Sequence, residues 1–145
     1  MGFWDWLLGR RTDEGSDMVE MMKMLAKAPE DQRKAQMRPR IEMLTPMPEQ
    51  QRHEAIRGMM RAFHSPRLTE EERRRLIRTR IEIIGEFPEE KRATIISSRM
   101  AAMQVLPDID RRDMEVMEAV MPHVAERARL NFLATKDRLM KHMVS

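Results

Sequence analysis

The chain has no cysteine, no tyrosine, five glycines and 4% aromatic residues. The missing cysteine excludes disulfides, thiolate zinc sites and thiol nucleophiles. Glycine is too sparse for a phosphate-binding loop, and neither a Gly-x-Ser-x-Gly elbow nor a His-Glu-x-x-His pattern is present. His53, His64, His123 and His142 are scattered without ligand spacing. No catalytic residue, cofactor or metal is therefore expected. No apolar run approaches the ~20 residues that cross a bilayer. With 35% charged residues, the composition suits helices, which Ala, Leu, Met, Glu, Lys and Arg favour. An apolar content of 41% in 145 residues is enough for one packed core.

What the chain does have is a phrase repeated five times. Pro29-Glu30-Asp31-Gln32-Arg33 returns as Pro48-Glu49-Gln50-Gln51-Arg52, then as Thr69-Glu70-Glu71-Glu72-Arg73. Pro88-Glu89-Glu90-Lys91-Arg92 and Pro107-Asp108-Ile109-Asp110-Arg111 complete the set, at steps of 19, 21, 19 and 19 residues. Each copy carries helix-start chemistry. Proline suits the first helical position, and acids in the first turn oppose the positive end of the helix dipole. Thr69 and Glu72 have capping-box spacing. Arg33, Arg52, Arg73, Arg92 and Arg111 are expected to pair on the surface with the acid three places earlier.

Apolar residues recur deeper in each unit. Met37, Ile56, Ile77 and Ile96 stand eight places after the start, and Ile41, Met60, Ile81 and Met100 twelve places after it. Such spacing puts them on one helix face. The unit is thus one amphipathic helix, and a fixed period marks an array. The predicted fold is all-α: about seven short antiparallel helices on a single-helix repeat of ~19–20 residues, as a solenoid or irregular bundle. The repeat domain is expected over 16–145, with units from about 29, 48, 69, 88 and 107 and a last helix over about 124–141. Ser16 or Asp17 would cap a helix before the first unit. Pro39 should kink or split the first repeat helix, and Pro122 should break or kink the fifth. Short helices opening with Pro-Glu-Glu and followed by an apolar stripe resemble those in helical domains of flagellar motor switch proteins and magnesium-transporter regulatory domains. The likeness is confined to helix-start chemistry, and no residue role is carried over from it.

Three features bear on function. Residues 1–11 hold Phe3, Trp4, Trp6, Leu7 and Leu8, followed by Arg10 and Arg11. This segment is read as an anchor to a partner groove or to an anionic membrane surface, or as a strand of chain folded back on the core. Arg73, Arg74, Arg75, Arg78 and Arg80 form the densest basic run. They could meet phosphate or an acidic partner. RNA is disfavoured because stacking aromatics are missing nearby and the local acids offset the charge. Finally, there are 17 methionines, among them the groups Met18, Met21, Met22 and Met24, Met100 and Met103, and Met114, Met117 and Met121. A deformable core or adaptable surface accounts for them more simply than a thioether site for Cu(I). The expected function is that of an adaptor, assembly factor or accessory subunit of a protein complex. It would be cytoplasmic and able to attach peripherally to membranes, and its Met-rich face could also serve homo-oligomerisation.

Overall fold

The computed structural model describes residues 12–144. Seven α-helices and two 3-10 turns account for most of them, with no strand among the described residues. The helices are α1 (Thr12–Lys27), α2 (Glu30–Glu42), α3 (Glu49–Phe63), α4 (Glu70–Glu86), α5 (Glu89–Ala102), α6 (Pro107–Val120) and α7 (Glu126–Val144). Helix α1 begins ahead of Ser16 and Asp17, so neither residue caps it. Helix α2 runs unsplit through Pro39. The bond that proline forfeits would have ended on Ala35, and both residues are exposed, so water can serve that carbonyl. Pro122, by contrast, lies in the 3-10 turn Met121–His123 that ends α6.

The repeated phrase starts α2 to α6, as expected, with one shift of register. Pro29, Pro48 and Pro88 stand one residue outside their helices, at φ of −55°, −54° and −57°. Their carbonyls accept the first helical bond from Arg33, Arg52 and Arg92, each at 2.9 Å. Thr69 closes a reciprocal capping box with Glu72, at 3.1 Å and 2.8 Å. Replacing Thr69 with Ala should cost about 1 kcal/mol, read as a shift in the urea midpoint at unchanged slope.

The repeat arginines do more than pair with nearby acids. Arg33 Nη2 donates to the Ala28 carbonyl at 3.0 Å, Arg52 Nη1 to Met47 at 2.7 Å, Arg73 Nη2 to Leu68 at 3.3 Å and Arg92 Nη1 to Phe87 at 2.6 Å. Each acceptor lies five residues back, just before the next helix starts. Carbonyls at a helix C-terminus lack intrahelical donors, and a guanidinium supplies several at once. Arg33 and Arg92 are buried, which corrects the reading of them as surface residues. Arg73 and Arg92 also meet Glu70 and Glu89, whereas Arg111 stays exposed, 3.6 Å from Asp108. A sixth copy emerges at α7. Arg129 donates its backbone N–H to the Ala125 carbonyl at 2.9 Å and its side chain to the Val124 carbonyl at 3.4 Å.

The same arginines tie each helix to the one two places on. Arg33 reaches Thr79 Oγ1 at 3.2 Å, Arg52 reaches Ser98 Oγ at 2.7 Å and Arg92 reaches Thr135 Oγ1 at 2.7 Å. These bonds join α2 to α4, α3 to α5 and α5 to α7, which are also closely packed pairs. Hydrogen bonds from a charged donor are worth ~1.5–3 kcal/mol each. Helices α2 and α4 lie parallel, because Glu30 pairs with Arg78, Lys34 with Glu82 and Glu86, and Arg38 with Glu86. At the centre runs α4, with Leu76, Ile77, Ile81 and Ile83 fully buried and α1, α2, α6 and α7 packed around it.

Candidate functional site, an apolar groove over a buried ion cluster

The apolar stripes of α2 to α7 do not close on one another completely. They leave a solvent-open groove of about 300 Å³. Its buried lining comes from Ile41 and Leu44 of α2 and its following turn, Ile56, Met59 and Met60 of α3, Ile84 of α4, Ile95 and Ile96 of α5, Met117 of α6 and Phe132 of α7. Its rim is methionine. Met100 is half-buried, and Met114, Met140 and Met143 are exposed. An unbranched thioether chain can reshape around an incoming group at low cost.

Arg80, Arg99 and Asp110 also line the groove and belong to a cluster of charges centred on Asp113. Asp113 of α6 is fully buried. It accepts bonds from Arg80 Nη1 and Nη2 at 3.1 and 2.8 Å, and from Arg99 Nε and Nη2 at 3.2 and 2.8 Å. His64 Nε2 lies 2.8 Å from Asp113 Oδ1, the oxygen that Arg80 Nη1 also reaches. One carboxylate thereby joins the end of α3 to α4, α5 and α6. Burial alone would raise the Asp113 pKa. The Arg80 charge, the bonds from His64 and Arg80, and the Arg99 charge outweigh that and hold it well below the usual carboxylate range. Arg80 also sits 5.2 Å over the Phe63 ring.

Arg99 lies 2.9 Å from Asp110 as well, so Arg80, Arg99, Asp110 and Asp113 balance in charge. Lys136, half-buried on the groove wall, carries no ion pair among the described residues. The groove is thus an apolar trough with one uncompensated cation.

The sequence-based candidates fare unevenly. Phe3, Trp4, Trp6, Leu7, Leu8, Arg10 and Arg11 lie outside the described residues. The basic run is dispersed and largely engaged within the chain. Arg73 serves the Phe63, Ser65 and Leu68 carbonyls, Arg75 meets Glu71, Arg78 meets Glu30 and Arg80 is buried on Asp113. Only exposed Arg74 of the five is held by nothing closer than Glu70 at 3.9 Å. Met18 and Met22 are buried in the core, while Met24 is exposed. No cluster of three or more His, Asp or Glu suited to a metal occurs among the described residues. No described helix is long and apolar enough to cross a membrane.

Sequence reasoning missed Asp113 and the cation role of Arg80, though both carried a signal. Asp113 shares a helical stripe with Val116, Met117 and Val120, and Arg80 shares one with Leu76, Ile77, Ile81 and Ile84. A charge placed inside an apolar stripe calls for a buried counter-charge. Comparison with protein-family models, curated proteins and solved structures finds no match to the chain, so the likeness of its Pro-Glu-Glu helices to those of motor switch and transporter proteins carries no function over to it.

Proposed function

We propose that this chain is a non-enzymatic interaction protein, an adaptor or accessory subunit, whose groove receives the apolar side chains of an amphipathic helix on a partner protein. The observation that carries this reading is the open, methionine-rimmed cavity between α2 and α7. Helix-in-groove recognition needs a trough that takes side chains at turn spacing, and a rim that adapts to them. Each Leu- or Phe-sized group buried there gains ~1.5–3 kcal/mol, so three or four of them offset much of the cost of association. Lys136 favours a partner helix with an acid beside its apolar face.

Amphipathic helical peptides selected by display against the full chain test this reading. Met100→Glu and Met114→Glu place a carboxylate on the rim at half-buried and exposed positions, so the fold should hold. Each is expected to weaken the selected peptides by at least about tenfold, a loss typical of an interface contact. Selection that yields no binder, or binders indifferent to both substitutions, contradicts the proposal.

A further inference from the structure

We propose that a second cavity, between α4 and α6, binds a free α-amino acid through both its carboxylate and its ammonium group. The repeat itself points to the place. Arg33, Arg52 and Arg92 each reach a hydroxyl two helices on, at Thr79, Ser98 and Thr135. Those hydroxyls stand ten places after Thr69, Pro88 and Ala125, whose carbonyls take the first bond of α4, α5 and α7. In α6 that first bond goes to Leu106, so the tenth place is Val116. Arg73 belongs to the same series, and the side chain at its matching place cannot accept. It makes no bond to α6 among the described residues, although α4 packs against α6. Where the tie is missing there is a cavity of about 200 Å³, lined by both Arg73 and Val116.

Its walls carry charges of both signs. Glu70 and Arg73 come from the start of α4, and Arg112 and Glu115 from α6. Arg112 and Glu115 are exposed, and neither forms an ion pair among the described residues. Arg73 Nη1 bonds only Glu70, at 2.7 Å, and keeps one N–H for a ligand. A simple anion would be repelled by the two carboxylates and a simple cation by the two guanidinium groups. A zwitterion satisfies both, its carboxylate on Arg73 and Arg112 and its ammonium on Glu115, in charge-assisted bonds. His64 also borders the cavity, with its side chain 2% exposed and Nε2 on Asp113. Asp113 is ionised and can only accept, so Nε2 carries the proton and Nδ1 of the neutral ring is left as an acceptor. Nδ1 has no partner among the described residues, and an ammonium N–H supplies the donor it lacks. Pro66 and Val116 add apolar surface for a short side chain. A partner's helix, ~10–12 Å across, is too large for this space, so the site is independent of the groove.

Thermal melts of the full chain with each of the twenty L-amino acids read the site, because a ligand of the native state alone raises Tm. At ~10 mM, at least one with a short side chain should raise Tm by about 2 °C or more, and in equilibrium dialysis it should saturate at one per chain. Its N-acetyl and carboxamide forms each lack one charge. Each should bind at least about tenfold more weakly, the loss expected for a charge-assisted hydrogen bond. Arg112→Ala and Glu115→Gln stand at exposed positions, so the fold should hold while binding weakens by a similar factor. The proposal fails if no amino acid binds. It fails equally if the capped forms bind as tightly as the free one, or if both substitutions leave the affinity unchanged, which puts the compound elsewhere on the chain.

Discussion

Replacing Asp113 with Ala should cost about 3–5 kcal/mol of folding stability, the usual penalty for breaking a buried ion pair from one side. The loss arises from what remains. Arg80 is 4% exposed and loses the carboxylate it pairs with, while Arg99, partly exposed, keeps only Asp110. Against a total of ~5–15 kcal/mol for a typical domain, such a loss brings unfolding within reach of mild heating. Asp113→Asn keeps the side chain's shape and tests the charge alone. Its effect should depend on pH. The native carboxyl is held well below the ordinary range, so its contribution is complete above pH ~4 and drains away as the pH falls toward the native value. Urea titrations of the wild-type chain should therefore show a falling limb below pH ~4 that is shallower in Asp113→Asn. Equal limbs, or a wild-type-like midpoint for Asp113→Ala, would show that the cluster contributes little.

Gly85→Ala should be nearly as damaging, despite the ~1 kcal/mol that alanine normally gains over glycine within a helix. A Cβ at Gly85 would stand 2.2 Å from the Ala128 carbonyl oxygen and 2.7 Å from its carbon. Those are backbone atoms of α7, with no rotamer to swing aside. The two helices are also bonded at this crossing, by Asn131 Nδ2 to the Gly85 carbonyl at 3.1 Å and the Ala125 N–H to Glu82 at 3.3 Å. Forcing them apart should cost about 3 kcal/mol, the upper end for overpacked sites. It should also move Phe132, Lys136 and Met140, which α7 contributes to the groove, and so weaken peptide binding. A thermal melt and a binding titration on one sample separate the outcomes. A Gly85→Ala chain as stable as wild type would mean that α7 can shift freely on α4.

Much of this architecture is legible in the sequence because helix starts depend on local chemistry. Pro29, Pro48, Thr69, Pro88 and Pro107 mark five helices through side chains acting within one turn. Ala125 heads a sixth copy that lacks the marker, because Ala at that position carries no signal of its own. The destinations of Arg33, Arg52 and Arg92 were not legible. Their hydroxyl partners lie 43 to 46 residues away, and only packing brings them together. The groove was hidden for a related reason. The stripes containing Ile56, Ile96 and Met100 show which face of each helix is apolar. They do not say whether a neighbour covers that face, and here six helices leave it partly open.

Methyl NMR on the full chain labelled at its methionines tests the central claim, that this groove is the binding surface. Methionines line its rim and others, Met24 and Met47 among them, are not part of its lining, so one spectrum carries both probe and control. Adding a selected amphipathic peptide should shift the Met100, Met114, Met140 and Met143 methyls and leave those of exposed Met24 and buried Met47 in place. Shifts at Met24 with none on the groove rim would put the partner surface elsewhere and contradict the account.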